Sequence, residues 1–521
     1  MGFFMDCYYI WSNLIIMMKT ILKNSFLLIL ILLVSCQKDD HKIDFTFLQI
    51  NDVYEIAPIQ GGEFGGMARV ETVHQELLQE NPNTMLFLAG DFLNPSLLGT
   101  IKVDGERVRG KQMVEVMNAM NFDLVTFGNH EFDLSQKELQ KRLNESNFPW
   151  ISGNVKLKTK EAAIPFYKEK NGQKEAVGET FIKEISDKDG TKIKIGFISV
   201  TLPSNPKEYV EYGNMFIKAR SSYAAIKDSV AIVFGLTHVK IANDKRIAKL
   251  IPDLPLIMGG HEHTNSLDTI GNVLITKADA NAKTAYIHRV SYDKKTKKTK
   301  VTSQLKEINS SILPDKKIAI IIDKWQTILT AKIKDIISNP DEIIFSAKIP
   351  LDGRDTPIRS KQTNLGQVIT AAMSFAFDNK VDAALVNGGS IRIDDQLSGN
   401  ITPVDIFRVL PYGGDIVKVT IKGRLLKRVL DYGQLAAGTG AYLHRHNITL
   451  QGKDWLIADE KINLNKTYTV AFSDYLLKGF DIPFLSDKNK EVFSVYHPKE
   501  TELGYDIRKA VVAYLKQKSL K

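Results

Sequence analysis

A chain of 521 residues is longer than a single hydrophobic core supports, so two domains or so are expected. Hydrophobic residues make up 44% and charged residues 25% of the sequence, which is the composition of an ordinary soluble globular protein. The formal net charge of +9 suits anionic ligands, but the lysines are scattered without interleaved aromatic residues, so a nucleic-acid polymer is not expected as a partner.

The N-terminal segment has the pattern of a bacterial lipoprotein signal. Lys19 and Lys23 precede the apolar segment 26–34, which is too short for a comfortable membrane span but has the length of a signal-peptide core. The segment ends in Leu-Val-Ser-Cys, which resembles a lipobox with Cys36 as the lipidated residue. A start at Met17 or Met18 gives a signal of ordinary length.

This pattern predicts a signal peptide over residues 1–36 and a polar tether over residues 37–44. The mature protein is then an extracytoplasmic lipoprotein, held to the outer membrane by lipid on Cys36, on the periplasmic face or at the cell surface. A transmembrane anchor over roughly residues 8–34 is the alternative, and the interrupting lysines disfavour it.

Cysteine cannot hold a metal in the mature chain, because Cys7 and Cys36 are the only two in the sequence. Any metal must be held by histidine, aspartate and asparagine.

Several apolar segments are predicted to be buried strands that end beside polar side chains of the ligand type. The carboxyl ends of strands are the usual place for chemistry in an α/β fold. Five predicted strands show this pattern. In chain order, Asn51-Asp52 follows strand 45–50, Gly90-Asp91 follows strand 85–88, Gly128-Asn129-His130 follows strand 124–127, Thr237-His238 follows strand 230–234, and His261-Glu262-His263 follows strand 254–258.

The residues after these strands form a candidate metal site. Carboxylate oxygen together with imidazole suits Zn, Mn, Fe or a similar divalent ion, and one carboxylate can bridge two ions. Each residue taken alone is more often a turn or helix cap, but six in this order favour a shared site. The candidate ligands are Asp52, Asp91, Asn129, His238, His261 and His263.

The motifs Asn-Asp-x-x, Gly-Asp, Gly-Asn-His-Glu-Phe-Asp, Thr-His and Gly-His-x-His occur in the order found in calcineurin-like metallophosphoesterases. More narrowly, the chain resembles the secreted 5'-nucleotidase group that includes periplasmic UDP-sugar hydrolases. The resemblance implies an α/β (α+β) fold with a four-layer β-sandwich flanked by helices over residues 45–312. It also implies a linker helix over residues 313–340 and a smaller α/β substrate-binding domain over residues 341–521.

The same resemblance implies roles for the first-domain residues. Asp91 bridges two divalent ions (Mn, Zn, Mg or Co), with Asp52 and His263 on one ion and Asn129, His238 and His261 on the other. His130 and Asp133 form a dyad beside the ions. Asp133 orients and charges His130, which stabilises the transition state and the leaving oxygen.

Position 54 departs from the family motif, which has histidine where this chain has Tyr54. A neutral phenol is a poor ligand for a divalent metal. We therefore predict weaker and more exchangeable binding at the first ion, with water or Glu55 filling the gap and Mn or Mg preferred over Zn.

The linker and the second domain follow the same family pattern. Residues 316–338 form an amphipathic helical pattern without glycine, and the resemblance implies that the second domain rotates about this segment. Asn-Leu-Gly, Asn-Gly-Gly-x-Ile-Arg, Ile-Thr and Pro-Tyr-Gly-Gly match the family's substrate domain. The match implies that Arg359 and Arg392 contact the phosphate, that Asn387 contacts the nucleoside, that Tyr412 and Tyr475 sandwich the base, and that Asp481 contacts the sugar.

Two further features concern the second domain. Phe480 and Ile482 stand where the family has glycine, and their bulk beside the sugar site leaves the nucleoside and leaving-group preference open. His444 and His446 are interpreted as the solvent face of a strand rather than as ligands.

These observations predict a metal-dependent hydrolase that acts on nucleoside 5'-phosphates outside the cytoplasm. A phosphodiesterase or nucleotide-sugar hydrolase on the same scaffold is one alternative. A non-catalytic surface lipoprotein that binds nucleotides is the other.

Overall fold

The computed structural model describes Trp11, residues 17–19 and residues 41–187, 189–203, 207–393 and 395–520. The predicted signal peptide core and Cys36, the predicted site of lipidation, lie outside these described residues. No helix in the described part of the chain is both long enough and apolar enough to cross a membrane.

The first domain is built on two six-stranded sheets. In chain order their strands are β1 (Lys42–Ile50), β2 (Thr84–Ala89), β3 (Leu124–Thr126), β4 (Trp150–Ile151), β5 (Thr180–Ser186), β6 (Lys192–Ile198), β7 (Ile232–Thr237), β8 (Leu256–Gly259), β9 (Ser266–Ile270), β10 (Val273–Lys277), β11 (Thr284–Asp293) and β12 (Lys298–Glu307). The order in the first sheet is β12-β11-β1-β2-β3-β4, and in the second it is β5-β6-β7-β8-β10-β9.

Parallel strands form the centre of both sheets. β1, β2, β3 and β4 pair in parallel in one sheet, and β6, β7, β8 and β10 do so in the other. Parallel strands bring their carboxyl ends to the same edge of a sheet. The polar segments that follow β1, β2, β3, β7 and β8 therefore meet at one end of the domain.

The two sheets pack face to face through aromatic side chains. Phe47 and Phe87 of the first sheet contact Phe234 and Phe197 of the second, with ring centroids 5.0 and 5.2 Å apart. All four rings are fully buried. Offset and edge-on ring contacts at these distances add to the burial of apolar area, so they hold the sheets together firmly.

Helices cover the outer faces of both sheets, which gives the predicted four layers. α1 (Met67–Glu80) and α2 (Lys111–Met120) bury their apolar faces against the first sheet, and α4 (Met215–Ile226) and α5 (Ile241–Leu250) bury theirs against the second. Between α2 and α4 in the sequence lies α3 (Gln136–Glu145), which begins with a capping box formed by Ser135 and Glu138.

The linker is a helix that packs on the first domain. α6 runs over Lys316–Lys334, and the Asp315 carboxylate caps it by accepting a hydrogen bond from the Ile318 N–H at 2.9 Å. The helix ends at Lys334, whereas the sequence pattern predicts that it continues to residue 338. Its buried stripe joins the core of α1 and α2 and consists of Ile318, Ile322, Trp325, Leu329 and Ile333.

The second domain is a smaller α/β unit. Its helices are α7 (Asp355–Ile358), α8 (Asn364–Phe375), α9 (Pro403–Val409), α10 (Gly423–Leu435) and α11 (Ile507–Ser519). Its main strands are β13 (Phe345–Asp352), β14 (Ala383–Asn387), β15 (Gln396–Ile401), β16 (Ile416–Lys422), β17 (Leu443–His446), β18 (Thr467–Ser473) and β19 (Val492–Tyr496). The five-stranded sheet β17-β14-β18-β16-β19 carries a hydrophobic core on each face. The predicted α/β architecture is confirmed.

Shorter strands lie outside these sheets. They are Lys102–Val103, Glu106–Arg107, Val155–Lys158, Ala163–Ile164, Tyr167–Lys170, Gln173–Ala176, Val210–Tyr212, Ile448–Gln451, Asp454–Ile457 and Glu460–Lys461.

The two domains meet through polar and apolar contacts. Arg408 of α9 lies 3.4 Å from the Glu55 carboxylate, measured from Nε to Oε1, and both side chains are buried. Lys283 pairs with Asp395 at 2.9 Å, and Phe407 joins the hydrophobic core of the first domain. These contacts place the second domain over the end of the sheets where the polar segments meet.

We expect Leu329→Ala in α6 to lower the free energy of unfolding by about 2–5 kcal/mol, because it removes a fully packed side chain from a shared core. Ile320→Ala on the same helix is the matched control, since Ile320 is 70% exposed. Urea unfolding followed by tryptophan fluorescence measures both variants. Equal midpoints for the two would contradict the packing of α6 on the first domain.

Candidate metal centre and substrate cavity

Three of the predicted metal ligands have left-handed backbone conformations. Asp52, Asp91 and His261 have φ angles of 54°, 58° and 86°. Residues other than glycine adopt such angles infrequently, and strained positions of this kind cluster at functional sites. Each of the three directly follows or nearly follows a buried strand, so the strain lies where the chain leaves the sheet.

The side chains of Asp52, Asp91 and His238 converge, and all three are buried. The Nε2 atom of His238 lies 3.0 Å from Asp91 Oδ2 and 4.0 Å from Asp52 Oδ1. It also lies 3.2 Å from Asn129 Oδ1. Three oxygen acceptors therefore surround one ring nitrogen.

The tautomer of His238 follows from its other nitrogen. Nδ1 lies 2.8 Å from the Ala89 carbonyl oxygen, which can only accept, so Nδ1 carries the hydrogen. In the neutral ring Nε2 has a lone pair that faces three oxygen acceptors, so the arrangement is favourable only with a positive charge at this point, either a proton on Nε2 or a metal ion. Burial opposes a charge on His238, but Asp91 and Asp52 outweigh it and raise its pKa to about 9. Carboxylate, amide and imidazole donors at one point fit a divalent metal ion.

The two remaining predicted ligands, His261 and His263, lie beside the atoms that surround His238 Nε2. The His261 N–H donates to Asp52 Oδ2 at 2.9 Å, and its ring centroid is 5.5 Å from that of His238. Burial and the charge on His238 lower the pKa of His261 to about 3, so its ring is neutral and able to bind a metal. The Nε2 atom of His263 lies 3.3 Å from Asp52 Oδ1. The structure thus brings all six predicted ligands together.

Two glycines are required for this close approach. A Cβ on Gly128 would overlap the Asp91 carboxylate, and a Cβ on Gly260 would overlap the Ala89 carbonyl oxygen. Both positions lie directly beside predicted ligands, so a side chain at either would push the strand ends apart.

Tyr54 lies at the edge of the candidate centre. Its hydroxyl oxygen is 3.1 Å from Nε2 of His263, the same nitrogen that faces Asp52, and the phenol is 3% exposed. Glu55 does not take up the place of a ligand. Its carboxylate faces Arg408 of the second domain, and its backbone N–H donates to Asn281 Oδ1 at 3.3 Å. The expectation that Glu55 fills the gap left by Tyr54 therefore has no support in the structure.

His130 and Asp133 form the predicted pair. They lie in one 3₁₀ turn directly after Asn129, with His130 Nδ1 2.8 Å from Asp133 Oδ2. Asn94 Nδ2 donates to the same oxygen at 3.0 Å, and the His130 N–H donates to Asp91 Oδ1 at 2.7 Å. Burial opposes a charge on His130, but Asp91 and Asp133 outweigh it and raise its pKa to about 10. The imidazole is therefore held charged and in a fixed orientation beside the candidate metal ligands.

Glu131 was not among the predicted site residues, yet its buried carboxylate organises two of the ligand-bearing segments. It accepts hydrogen bonds from the backbone N–H groups of Asp91, Phe92, Leu93 and Gly128 at 2.9, 2.8, 3.0 and 2.6 Å. Burial and the charge of Asp91 raise the pKa of Glu131 to about 7. The feature of the sequence that could have indicated this role is the position of Glu131 inside the Gly-Asn-His-Glu-Phe-Asp motif.

All six predicted substrate residues line one cavity of about 720 Å³, and Asp133 lines it as well. Asp481 accepts hydrogen bonds from Asn387 Nδ2 at 2.7 Å and from the Tyr475 hydroxyl at 3.4 Å. The guanidinium of Arg392 lies 5.9 Å from the centre of the Tyr412 ring. The six residues are Arg359, Asn387, Arg392, Tyr412, Tyr475 and Asp481.

A second cavity of about 690 Å³ adjoins the candidate metal ligands. Asp91, Asn129 and His261 line it together with Arg359, which lines the first cavity as well. Arg359 Nε donates to Asp355 Oδ1 at 2.6 Å, which fixes the guanidinium at this position. The substrate cavity and the candidate metal centre therefore meet at Arg359.

The interpretation of His444 as solvent-facing is wrong. The side chain is fully buried, because β17 packs against the start of α8, where a Cβ on Gly366 would overlap the imidazole. Its Nε2 lies 2.8 Å from the Ile358 carbonyl oxygen, one residue before Arg359. His444 thus supports the segment that carries Arg359. His446 is half-buried.

We expect Tyr54→His to increase the amount of zinc retained per chain after dialysis, because an imidazole replaces a phenol beside His263 and Asp52. Tyr54→Phe is the control, since it removes the hydroxyl without adding a ligand. Elemental analysis of purified protein measures both. Identical metal content in Tyr54→His and the native chain would refute the account of a weakened first site.

Comparison with known proteins places this geometry in a family. The model of the calcineurin-like phosphoesterase family matches residues 45–265, and that of the 5'-nucleotidase C-terminal domain matches residues 343–486. Human 5'-nucleotidase is 27% identical over 424 residues, which cover 73% of this chain and 68% of the human protein. The trifunctional nucleotide phosphoesterase protein YfkN of Bacillus subtilis is 25% identical over 487 residues, and these cover 84% of this chain but 32% of that protein. The chain thus spans about a third of the length of that relative.

Solved structures support the same fold. The 5'-nucleotidase precursor of Thermus thermophilus aligns with a TM-score of 0.64 at 20% identity, covering 91% of this chain and 96% of that one. Both domains and their connection are therefore shared. The first domain thus matches the calcineurin-like phosphoesterase family and the second matches the 5'-nucleotidase C-terminal domain family.

Proposed function

We propose that the chain hydrolyses nucleoside 5'-phosphates with two divalent metal ions. The observation that carries the proposal is the position of Arg359, which lines both the cavity of the six predicted substrate residues and the cavity beside the predicted metal ligands. A nucleotide with its base in the first cavity can thus present its phosphate to the metal centre. Relatives named 5'-nucleotidase support this assignment.

The donors described above would hold the divalent ions, with carboxylate oxygens from Asp52 and Asp91, the amide oxygen of Asn129 and the imidazoles of His238, His261 and His263 as the available ligands. Divalent ions bound here supply activation of water and neutralisation of charge on the phosphoryl oxygens.

The side chains around the ions bind and orient the nucleotide. Arg359 and Arg392 hold the phosphate through charge-assisted hydrogen bonds. Tyr412 and Tyr475 are 49% and 37% exposed, so each ring has a free face for stacking on a base. His130, charged and held by Asp133, donates a hydrogen bond to the ester oxygen as negative charge develops on it.

A phosphodiesterase or nucleotide-sugar hydrolase is the second candidate. The cavity of about 690 Å³ beside the metal ligands extends to Lys240, Lys245 and Arg354, which leaves room for a second group on phosphorus. Phe480 is 70% exposed and its ring centroid is 5.7 Å from that of Tyr475, so it extends the aromatic surface beyond the predicted base site.

The products formed from four substrates distinguish these candidates when Mn, Zn, Mg and Co are added separately to metal-stripped protein: phosphate from AMP, UMP from UDP-glucose, a nucleoside monophosphate from a cyclic nucleotide, and the chromophore from a chromogenic phosphodiester. We expect AMP to be the best substrate. His130→Asn should lower kcat about 10²- to 10⁴-fold, because it removes the charged donor. His497→Asn, at an exposed position, should leave kcat unchanged.

Two outcomes contradict the proposal. Hydrolysis of the diester or the nucleotide sugar without hydrolysis of AMP favours the second candidate. Nucleotide binding without hydrolysis of any substrate, together with a metal content near zero, favours a non-catalytic binding protein.

The location is part of the same proposal. We infer an extracytoplasmic lipoprotein anchored through Cys36, and the support is the lysine-flanked apolar segment and the lipobox-like Leu-Val-Ser-Cys sequence. Cys36→Ser should abolish incorporation of labelled palmitate and release the protein from the membrane fraction of the producing cells. Cys7→Ser is the control and should change neither. Retention of the label in Cys36→Ser would exclude the anchor.

A further inference from the structure

Lys277 is a buried cation in the core of the first domain. It ends β10, its side chain is completely inaccessible to solvent, and it is among the largest fully buried side chains of the described residues. Burying an ammonium group is costly unless hydrogen bonds and opposite charges satisfy it. Its partners therefore indicate why the lysine is there.

The partners of Lys277 belong to the segments that carry the three predicted histidine ligands. Nζ donates to the Val239 carbonyl oxygen at 2.5 Å, one residue after His238. It donates to the Gly260 carbonyl oxygen at 2.7 Å, one residue before His261. It also pairs with the carboxylate of Glu262, which stands between His261 and His263.

A second set of contacts closes the network. Asp244 of α5 lies 3.0 Å from Nζ through Oδ2 and accepts a hydrogen bond from the Thr237 hydroxyl at 2.7 Å through Oδ1. Glu262 Oε1 accepts from the Ile241 N–H at 2.6 Å. Thr237 directly precedes His238, so the residues on both sides of His238 are tied to Lys277.

We propose that Lys277 is a positioning residue for the three histidines of the metal centre, His238, His261 and His263. It thereby determines the affinity of the centre for metal. One ammonium group joins the segment after β7 to the segment after β8, and these two segments carry His238, His261 and His263. The inference rests on the metal site of the proposed function. Residues that orient metal ligands from behind typically account for 10- to 100-fold in metal affinity.

The chain offers a matched control for the burial of a lysine. Lys168 is also buried, and its Nζ donates to the Ser146 and Phe148 carbonyl oxygens, but these belong to no ligand-bearing segment. Replacing either lysine with methionine keeps an unbranched side chain, shortens it by one heavy atom and removes its charge. A merely structural role predicts the same behaviour for both variants, whereas a positioning role separates them.

The test is Mn²⁺ binding to metal-stripped full-length protein by titration calorimetry, with thermal unfolding measured with and without Mn²⁺. We expect Lys277→Met to raise the dissociation constant for Mn²⁺ by about 10- to 100-fold and to lose most of the thermal stabilisation by Mn²⁺. Lys277→Arg should restore part of the affinity because it keeps the charge. Lys168→Met should lower the unfolding temperature of the metal-free protein without changing the affinity for Mn²⁺.

A second variant covers the case in which Lys277→Met fails to fold. Glu262→Gln weakens one partner of Lys277 at a position whose side chain is 31% exposed, and we expect it to reduce the affinity for Mn²⁺ severalfold. Native affinity in Lys277→Met or in Glu262→Gln overturns the proposal, as does an equal loss in Lys168→Met. Absence of Mn²⁺ binding by the native protein would instead refute the metal site of the proposed function.

Discussion

The structure depends on the convergence of electron-pair donors in a buried space. Carboxylate oxygens of Asp52 and Asp91 and the amide oxygen of Asn129 all approach Nε2 of His238, and these atoms attract one another only when a proton or a metal cation lies between them. Folding must therefore hold them together against their mutual repulsion. The two packed sheets do so by bringing parallel strand ends to one edge, and the cation that the arrangement favours is the basis of the proposed chemistry.

A buried carboxyl group and a buried ammonium group hold the segments that carry these donors. The Glu131 carboxylate gathers backbone N–H groups beside Asp91 and Asn129. The Lys277 ammonium gathers backbone carbonyl oxygens beside His238 and His261. Carboxyl oxygens accept hydrogen bonds from backbone N–H groups, and an ammonium group donates them to backbone carbonyl oxygens. Each half of the centre is therefore held by the group that pairs with its backbone polar atoms.

Apolar strands followed by Gly-Asp, Gly-Asn-His and Gly-His-x-His carry a strong local pattern, so the sequence predicted the set of side chains that meet, whereas the two-sheet fold followed from the resemblance to a known family. It did not predict the contacts of Glu131 and Lys277, whose partners are backbone atoms that follow no residue-type pattern. The exposure of His444 was misjudged because alternation along a strand does not show that a helix covers its edge. The orientation of Glu55 depended on Arg408, which lies more than 300 positions along the chain.

The contact between Glu55 and Arg408 has a consequence for the way in which the two domains are held together. Separating them returns both charges to water, and the hydration that they regain offsets much of the attraction that is lost. Such a pair adds little to the strength of the interface, yet it disfavours any docking that leaves one charge buried alone. The contact therefore favours the observed arrangement of the two domains through specificity rather than through strength.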